Sequence, residues 1–266
     1  MKTFKLHLIR HGLTSGNLQG LYIGSGTDIP LCDEGRAQLA ELKERFEYPQ
    51  VDTVFSSPLM RAVETANILF PNATHQFSVH DLREAGFGVF ENHPVKELVK
   101  NEDFKKWITP GSGFVPEGAE PTEQFHARCS ETLLKLFEYM IRMDVTEAAC
   151  VTHGGVIMSM LSQRALPSRH PEQWMADPGC GYTVQTAWWR PSTSSPSAMP
   201  TPCGVRRKLR RMKHSNKKER SAALRFLPPG GIFVLFWYKI GKENAKPAAE
   251  RFQTLDRGQR NRYSIK

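Results

Sequence analysis

The sequence lacks the features expected of secreted and membrane-spanning proteins. Its five cysteines are an odd number at wide spacings, without a Cys-x-x-Cys pair, and no secretory apolar segment stands at the N-terminus. The longest apolar run, Gly231–Tyr238, is far shorter than the roughly 20 residues that a membrane-spanning helix needs. We therefore expect reduced thiols, a cytoplasmic location and no membrane partner.

The sequence also lacks a histidine cluster that we interpret as a set of metal ligands. His7 lies in an apolar segment, and we interpret it as a partly buried strand histidine. The same interpretation as an ordinary histidine, not a ligand, applies to His75, His80, His93 and His126. The sequence predicts no metal site and no cofactor.

Charge is distributed unevenly along the chain. Residues 187–266 carry 19 Lys and Arg against 4 Asp and Glu, whereas residues 1–186 carry 17 against 23. A Ser/Pro/Thr-rich linker, 191–202, precedes a dense basic run, 206–220. We predict one domain over 1–186, followed over 187–266 by a linker and a basic, disordered tail.

The basic tail has two interpretations, one with a binding function and one without. A cluster of Lys and Arg can bind nucleic acid or another anionic surface. No amphipathic pattern is sustained there, which favours a disordered extension or a C-terminus altered by an aberrant reading frame. We favour a disordered or altered C-terminus and keep nucleic-acid binding as the alternative. Salt-sensitive DNA binding that is lost on deleting 187–266 would support the alternative.

Apolar strands alternate with helical patterns along residues 1–186. The segment 148–152 is apolar throughout, which predicts a central strand buried on both faces. Alternation of this kind predicts an α/β fold with helices packed around a mostly parallel sheet. The predicted strands are 6–9, 51–55, 148–152 and 181–185. The predicted helices are 33–48, 59–69, 121–140 and 156–166, the first of them capped by Asp33. Segment 15–30 is predicted to be a loop over the end of the first strand, and 91–121 a variable lid or insertion.

Polar motifs follow directly on three of these strands. They are Arg10-His11-Gly12, the stretch from Ser56 to Ala66, and His153-Gly154-Gly155. Ligands of open α/β sheets bind at the carboxyl ends of the strands. Guanidinium groups and imidazole nitrogens at that edge suit an anion.

Together with Leu82-Arg83-Glu84-Ala85-Gly86-Phe87-Gly88, these motifs resemble in kind and order the histidine phosphatase superfamily, also called phosphoglycerate mutase-like. The resemblance covers about residues 4–186. It implies a three-layer α/β/α sandwich and phosphoryl transfer without a metal. It also implies roles for single residues: His11 as the nucleophile that forms a phosphohistidine, Glu84 as the proton donor, His153 as a second catalytic histidine that also binds phosphate, and Arg10, Arg61 and Asn17 as phosphate-binding residues.

The residue types suit this chemistry. Arginine offers a fixed fork of donors to phosphoryl oxygens, as lysine does not. A neutral imidazole attacks phosphorus and splits one displacement into two. Glu84 needs a raised pKa to act as an acid, and its neighbours Leu82, Phe87 and Phe90 would provide it by desolvation. Glu91 is the nearby carboxylate that competes for this role.

The loop after Asn17 bears on the substrate. Tyr22-x-Gly24 followed by Asp28-x-Pro30-Leu31 resembles the α-ribazole phosphatase branch of the family, whose members act on a precursor of the cobalamin nucleotide loop. The tryptophans and the Arg-x-Thr-Gly-Trp pattern typical of the glycolytic mutases are missing here. Leu13 and Gly16 depart from the commonest loop pattern.

We therefore predict a phosphatase of a small phosphorylated metabolite, most similar to α-ribazole phosphatase. A broad-specificity phosphatase and a phosphoglycerate mutase are the alternatives within the family. A non-catalytic phosphate-binding scaffold is the alternative outside catalysis, although such a protein is expected to have lost a residue of the core motifs. The oligomeric state is left open, a homodimer included.

Overall fold

The computed structural model describes residues 2–109, 111–188 and 236–240, which form a six-stranded sheet and seven α-helices. The strands are β1 (Lys2–Arg10), β2 (Thr53–Ser56), β3 (His75–Ser78), β4 (Glu147–Thr152), β5 (Gly181–Trp188) and β6 (Phe236–Ile240). The helices are α1 (Ser15–Leu18), α2 (Asp33–Arg45), α3 (Met60–Leu69), α4 (Val95–Leu98), α5 (Glu102–Ile108), α6 (Thr122–Arg142) and α7 (Gly154–Arg164), with single 3₁₀ turns at His80–Leu82, Gly88–Phe90 and Pro171–Trp174.

The sheet has the strand order β3-β2-β4-β1-β5-β6. The first four strands in this order are parallel, whereas β5 and β6 pair in antiparallel fashion. Strand β4 lies between β2 and β1, and its residues 148–152 are all buried. The predicted mostly parallel sheet with 148–152 at its centre is confirmed.

Helices cover both faces of the sheet. In β1, Leu6 and Leu8 pack into a core formed with α6 and α7, whereas Ile9 packs into a second core with α2 and α3. This alternation follows from the period of two in a strand. The predicted three-layer α/β/α sandwich is confirmed.

The start of α2 differs from the prediction. Cys32, not Asp33, occupies the N-cap, and its Sγ accepts a hydrogen bond from the backbone N–H of Gly35 at 3.3 Å. Asp33 is instead the first helical residue, where its negative charge favourably faces the positive end of the helix dipole. The predicted Asp33 cap is therefore wrong, although the predicted helix exists.

Several short elements lie where the sequence predicted a loop, a lid or no element. Helix α1 lies within 15–30, helices α4 and α5 lie within 91–121, and the edge strand β3 is largely exposed. Strand β6 lies inside the segment predicted to be tail, and β5 extends beyond residue 186 to Trp188.

The basic run 206–220 lies outside the described residues, and the predicted domain boundary at residue 186 stays a prediction. No helix of the described part is long and apolar enough to cross a membrane.

Gly181 sits where β5 pairs with β1, opposite Ile9. A Cβ at this position would overlap the carbonyl oxygen of Leu8, which is backbone and cannot rotate away. We expect Gly181→Ala to lower the free energy of unfolding by about 3 kcal/mol, the upper range for overpacking. The matched control is Gly20→Ala, which has a positive φ but open space around it and should cost about 1 kcal/mol. Urea unfolding of both variants measures the difference; equal losses would contradict the steric explanation.

Candidate active site

The predicted site residues converge at the carboxyl ends of β1, β2 and β4. The register pairs Arg10 with Thr152, and the backbone N–H of His11 donates to the Thr152 carbonyl at 2.9 Å. The N–H of Ser57 donates to the carbonyl of Val151 at 2.9 Å, so β2 ends beside β4. As a result the rings of His11 and His153 lie 5.1 Å apart, centroid to centroid.

His11 is held in one tautomer by the backbone. Its Nδ1 lies 2.7 Å from the carbonyl oxygen of Gly12, which only accepts hydrogen bonds, so Nδ1 carries the proton and Nε2 the lone pair. Gly12 is itself fixed, since its N–H donates to Thr65 Oγ1 at 2.9 Å. Burial, together with Arg61 and Arg10, lowers the pKa of His11 to about 3. The ring is therefore neutral near pH 7 and presents a nucleophilic nitrogen.

Two arginines flank this histidine with donors to spare. Arg61 is 1% exposed and donates to the carbonyls of Thr27 at 2.9 Å and Gly24 at 3.0 Å. Arg10 donates from one terminal nitrogen to the Ala176 carbonyl at 2.9 Å, while its buried Nε has no partner among the described residues. Because a guanidinium has five N–H groups, donors remain on both residues for an anion.

Glu84 is buried between two backbone amides. Its Oε1 accepts from the N–H of Ala85 and its Oε2 from the N–H of Gly155, both at 3.0 Å. Desolvation raises the pKa of the carboxyl, against the opposing effects of these amides and of the two arginines. A Cβ on Gly155 would overlap Glu84 Oε1, which explains the glycine at that position. The two amides hold the Glu84 carboxyl group in a fixed plane.

His153 follows β4 directly and forms the N-cap of α7. It is fully buried, and its Nε2 lies 2.8 Å from Ser57 Oγ. Its Nδ1 is buried without a partner among the described residues. Burial and the charges around it lower the pKa of His153 well below the usual value, so the ring is neutral.

Asn17 has a local structural role. Its Oδ1 accepts from the backbone N–H and the hydroxyl of Thr14 at 3.1 and 3.0 Å, and the Thr14 hydroxyl oxygen accepts from the Asn17 N–H at 3.3 Å. These contacts form the capping box of α1. They leave the Nδ2 amide group as the part of the Asn17 side chain that can donate to a phosphate.

Glu91, the other carboxylate near Glu84, fixes the loop over the site. Its Oε1 accepts from the N–H groups of Gly26 at 2.8 Å and Phe87 at 3.2 Å, and its Oε2 accepts from the Thr27 hydroxyl at 2.6 Å. The same loop supplies the carbonyls that bind Arg61. Glu91 therefore holds the loop in position, and its oxygens are already engaged.

We expect Glu91→Ala to loosen this loop. The free energy of unfolding should fall by about 2 kcal/mol, because several hydrogen bonds to a charged group are lost. KM should rise more than kcat falls, since the loop positions Arg61. Urea unfolding and steady-state kinetics measure both effects. Glu97→Ala, an exposed glutamate on α4, is the matched control, and an unchanged KM in Glu91→Ala would contradict the assignment.

An aromatic cluster adjoins Glu84. Tyr22 stacks on Phe87 at 3.9 Å between ring centroids and meets Phe104 and Trp107 edge-on. Burial, and after it the charge of the Glu84 carboxyl, raises the pKa of the Tyr22 phenol. Phe87 stands three residues after Glu84 in the same motif, and we refer to the stacked pair Tyr22 and Phe87 as the aromatic wall.

Three residues that shape the site had no site role predicted for them from the sequence. Ser57 contacts His153, Thr65 fixes Gly12, and Tyr22 forms part of the aromatic wall. Ser57 and Thr65 stand in the motif around Arg61, which was a usable signal, whereas Tyr22 was noted only for the loop pattern. Among residues 2–109, 111–188 and 236–240, no three His, Cys, Asp or Glu side chains gather as a metal-binding group.

Two proteins of known name are similar to this chain in sequence. Over 177 residues the chain is 33% identical to fructose-2,6-bisphosphatase TIGAR B of Danio rerio, a match that covers 63% of each chain. Over 184 residues it is 27% identical to adenosylcobalamin/alpha-ribazole phosphatase of Salmonella typhi, covering 68% of this chain and 89% of that one. The chain thus matches less than two thirds of the zebrafish protein's length.

Two solved structures are similar to this chain over most of their own length. The alpha-ribazole phosphatase of Shigella flexneri has a TM-score of 0.59 and 25% identity, covering 70% of this chain and 91% of that one. A phosphoglycerate mutase of Thermus thermophilus has a TM-score of 0.53 and 31% identity, covering 70% and 94%. The family model of the histidine phosphatase superfamily (branch 1) matches residues 6–190. Because this match spans more than half of the chain, the chain belongs to the histidine phosphatase superfamily.

Proposed function

We propose that this protein is a metal-independent phosphomonoesterase that hydrolyses a small phosphorylated metabolite in the cytoplasm through a phosphohistidine on His11. The observation that carries the proposal is the neutral His11 ring, whose Nδ1–H is tied to the Gly12 carbonyl while Arg10 and Arg61 stand beside it. The arginines supply the positive charge that metal ions supply in other phosphatases.

In the first step, the lone pair of His11 Nε2 attacks phosphorus in line with the ester oxygen. The N–P bond forms as the P–O bond to the alcohol breaks, and Glu84 gives its proton to the leaving oxygen. Arg10, Arg61 and His153 donate to the phosphoryl oxygens, and Asn17 Nδ2 adds a neutral contact. The raised pKa of Glu84 suits it to this step, because the acid form persists above the usual pH range of a glutamic acid.

In the second step, water attacks phosphorus opposite His11. The Glu84 carboxylate, left by the first step, takes a proton from this water as the N–P bond breaks. Phosphate leaves, and the imidazole returns to its neutral form with Nδ1–H still bonded to Gly12. Every proton that moves is thus held by Glu84, whose fixed plane between Ala85 and Gly155 suits both directions of transfer.

For the substrate, we propose α-ribazole phosphate or a similar alkyl ester whose alcohol is uncharged and bears an aromatic group. The aromatic wall of Tyr22 and Phe87 lies on the side of Glu84, where the leaving group sits during protonation. Arg10 and Arg61 influence the pKa of both His11 and Glu84, and we assign both arginines to one phosphoryl group. The Salmonella relative supports the same substrate class.

A bisphosphatase or mutase activity is the alternative within the family. The relative named fructose-2,6-bisphosphatase and the Thermus phosphoglycerate mutase structure favour it. Either substrate brings a second anionic group into the pocket, which would then have to bind beside the aromatic wall. We therefore rank α-ribazole phosphate above fructose 2,6-bisphosphate and 3-phosphoglycerate.

The test is phosphate release from p-nitrophenyl phosphate, α-ribazole phosphate, fructose 2,6-bisphosphate and 3-phosphoglycerate, with EDTA and without added metal. We expect turnover that survives EDTA and is highest in kcat/KM for α-ribazole phosphate. A higher kcat/KM for the bisphosphate or 3-phosphoglycerate would overturn the substrate assignment and leave the mechanism. No turnover from the folded chain would favour a non-catalytic phosphate-binding scaffold.

A further inference from the structure

Ser57 and His153 form a buried polar contact behind the site. Both residues are 0% exposed, and Ser57 Oγ lies 2.8 Å from His153 Nε2. Ser57 follows β2 and His153 follows β4, so the contact links the ends of two neighbouring parallel strands. In a buried contact of this kind the position of each hydrogen matters, because an unpaired polar group is costly.

The surroundings decide which atom donates. The backbone N–H of Leu59 donates to Ser57 Oγ at 3.4 Å, so one lone pair of the hydroxyl oxygen is used. Among the described residues, His153 Nε2 is the acceptor within hydrogen-bond distance of the hydroxyl hydrogen. The hydroxyl therefore donates to Nε2, and Nε2 carries the lone pair of the ring.

The proton of the neutral ring then belongs on Nδ1. This nitrogen is buried and has no partner among the described residues. The opposite tautomer would leave the Ser57 hydrogen unpaired and would turn the Nδ1 lone pair toward the phosphoryl oxygens, which repel it. A phosphoryl oxygen beside His11, whose ring lies 5.1 Å away, is the acceptor that an Nδ1–H requires.

We infer that Ser57 is a positioning residue, whose hydroxyl keeps the His153 proton on Nδ1 and so makes His153 a hydrogen-bond donor to the transferred phosphoryl group. The inference rests on the proposed function and adds a residue that acts through His153. It parallels the way in which a buried partner fixes the tautomer of a metal-bound or triad histidine.

The test uses the full chain and three variants. Ser57→Ala should lower kcat by about 10- to 100-fold, the usual cost of losing an orienting partner, with KM little changed because the arginines still bind the substrate. Ser57→Thr retains the hydroxyl and should restore most of kcat. Ser56→Ala is the matched control, since this neighbouring serine is only half-buried and should leave kcat unchanged.

The decisive measurement is the tautomer of His153, read from ¹⁵N chemical shifts of ¹⁵N-histidine-labelled protein with inorganic phosphate present. We expect the proton on Nδ1 in the wild type and in Ser57→Thr, and loss of that preference in Ser57→Ala. A wild-type proton on Nε2, or an unchanged tautomer and kcat in Ser57→Ala, would overturn the inference. If Ser57→Ala does not fold, the tautomer of His153 in the wild type and in Ser57→Thr still tests the inference.

This readout separates the inference from the proposed function. The tautomer is observable whether or not the protein turns over a substrate. A folded wild type that releases no phosphate overturns the proposed function alone. An active wild type with the proton on Nε2 overturns the role of Ser57 alone.

Discussion

Replacing His11 by alanine is expected to abolish phosphate release, with a loss of roughly a thousandfold or more. Removal of a nucleophile that forms a covalent intermediate costs up to about a millionfold in rate. The arginines and His153 remain in the variant, so phosphate should still bind. The Gly12 carbonyl fixes the tautomer of the His11 ring, and the variant loses the nucleophilic Nε2 that this contact presents.

The covalent intermediate provides a second readout. Brief incubation with ³²P-labelled substrate and alkaline quenching should label the wild type through an acid-labile N–P bond, and His11→Ala should stay unlabelled. His75→Ala, at an exposed position on β3, is the control and should label as the wild type does. Labelling of His11→Ala to the wild-type extent would place the nucleophile elsewhere.

The neutral state of His11 has a consequence for pH dependence. Because its pKa is lowered to about 3, the nucleophile stays deprotonated at Nε2 down to roughly that pH. The acid side of the pH profile should therefore lack the fall near pH 6.5 that an ordinary histidine would give. The cause is desolvation first and the two guanidinium charges second, so the lowered pKa belongs to the folded pocket.

The sheet and its helices were predictable where one physical signal dominated. The apolar run 148–152 predicts a strand buried on both faces, and β4 is central. Strand β3 has exposed polar residues and no period of two, and it forms because it pairs with the edge of β2. Helix α1 is only four residues long and depends on the capping box of Thr14 and Asn17, which is too short for periodicity to reveal.

The site was predictable in its residue types and less so in its contacts. His11 and His153 stand directly after apolar strands, so their meeting follows from sheet topology. The motif around Glu84 already favoured it over Glu91 as the proton donor. The structure adds that Glu91 is engaged with Gly26 and Thr27, whereas Glu84 contacts Gly155. Ser57 is recognisable only once β2 and β4 are known to be neighbours.

Replacing Glu84 by alanine is expected to lower kcat strongly, and the size of the loss depends on the leaving group of the substrate. With an alkyl phosphate, Glu84→Ala should lower kcat by about 10²- to 10⁴-fold, the usual contribution of general acid–base catalysis. With p-nitrophenyl phosphate, the leaving phenolate needs no proton, so the first step should persist. Alanine is preferred to glutamine, because a glutamine NH₂ would face the N–H of Ala85 or Gly155.

The second step should then reveal itself as a burst. Without the Glu84 carboxylate to take a proton from water, phosphohistidine accumulates in Glu84→Ala, and one p-nitrophenol per site should be released rapidly before slow turnover. Rapid-mixing absorbance measures this directly. Equal losses on both substrates without a burst would mean that Glu84 only supports the fold around Gly155.

The pH profile tests the same carboxyl through its raised pKa. The acid form of Glu84 is required for alkyl phosphates, and desolvation keeps that form above the usual range of a glutamic acid. Wild-type turnover should therefore fall as pH rises through this pKa, because the proton needed by the leaving oxygen is lost. In Glu84→Ala this basic limb should vanish. A basic limb that persists in Glu84→Ala would assign the titration to another group.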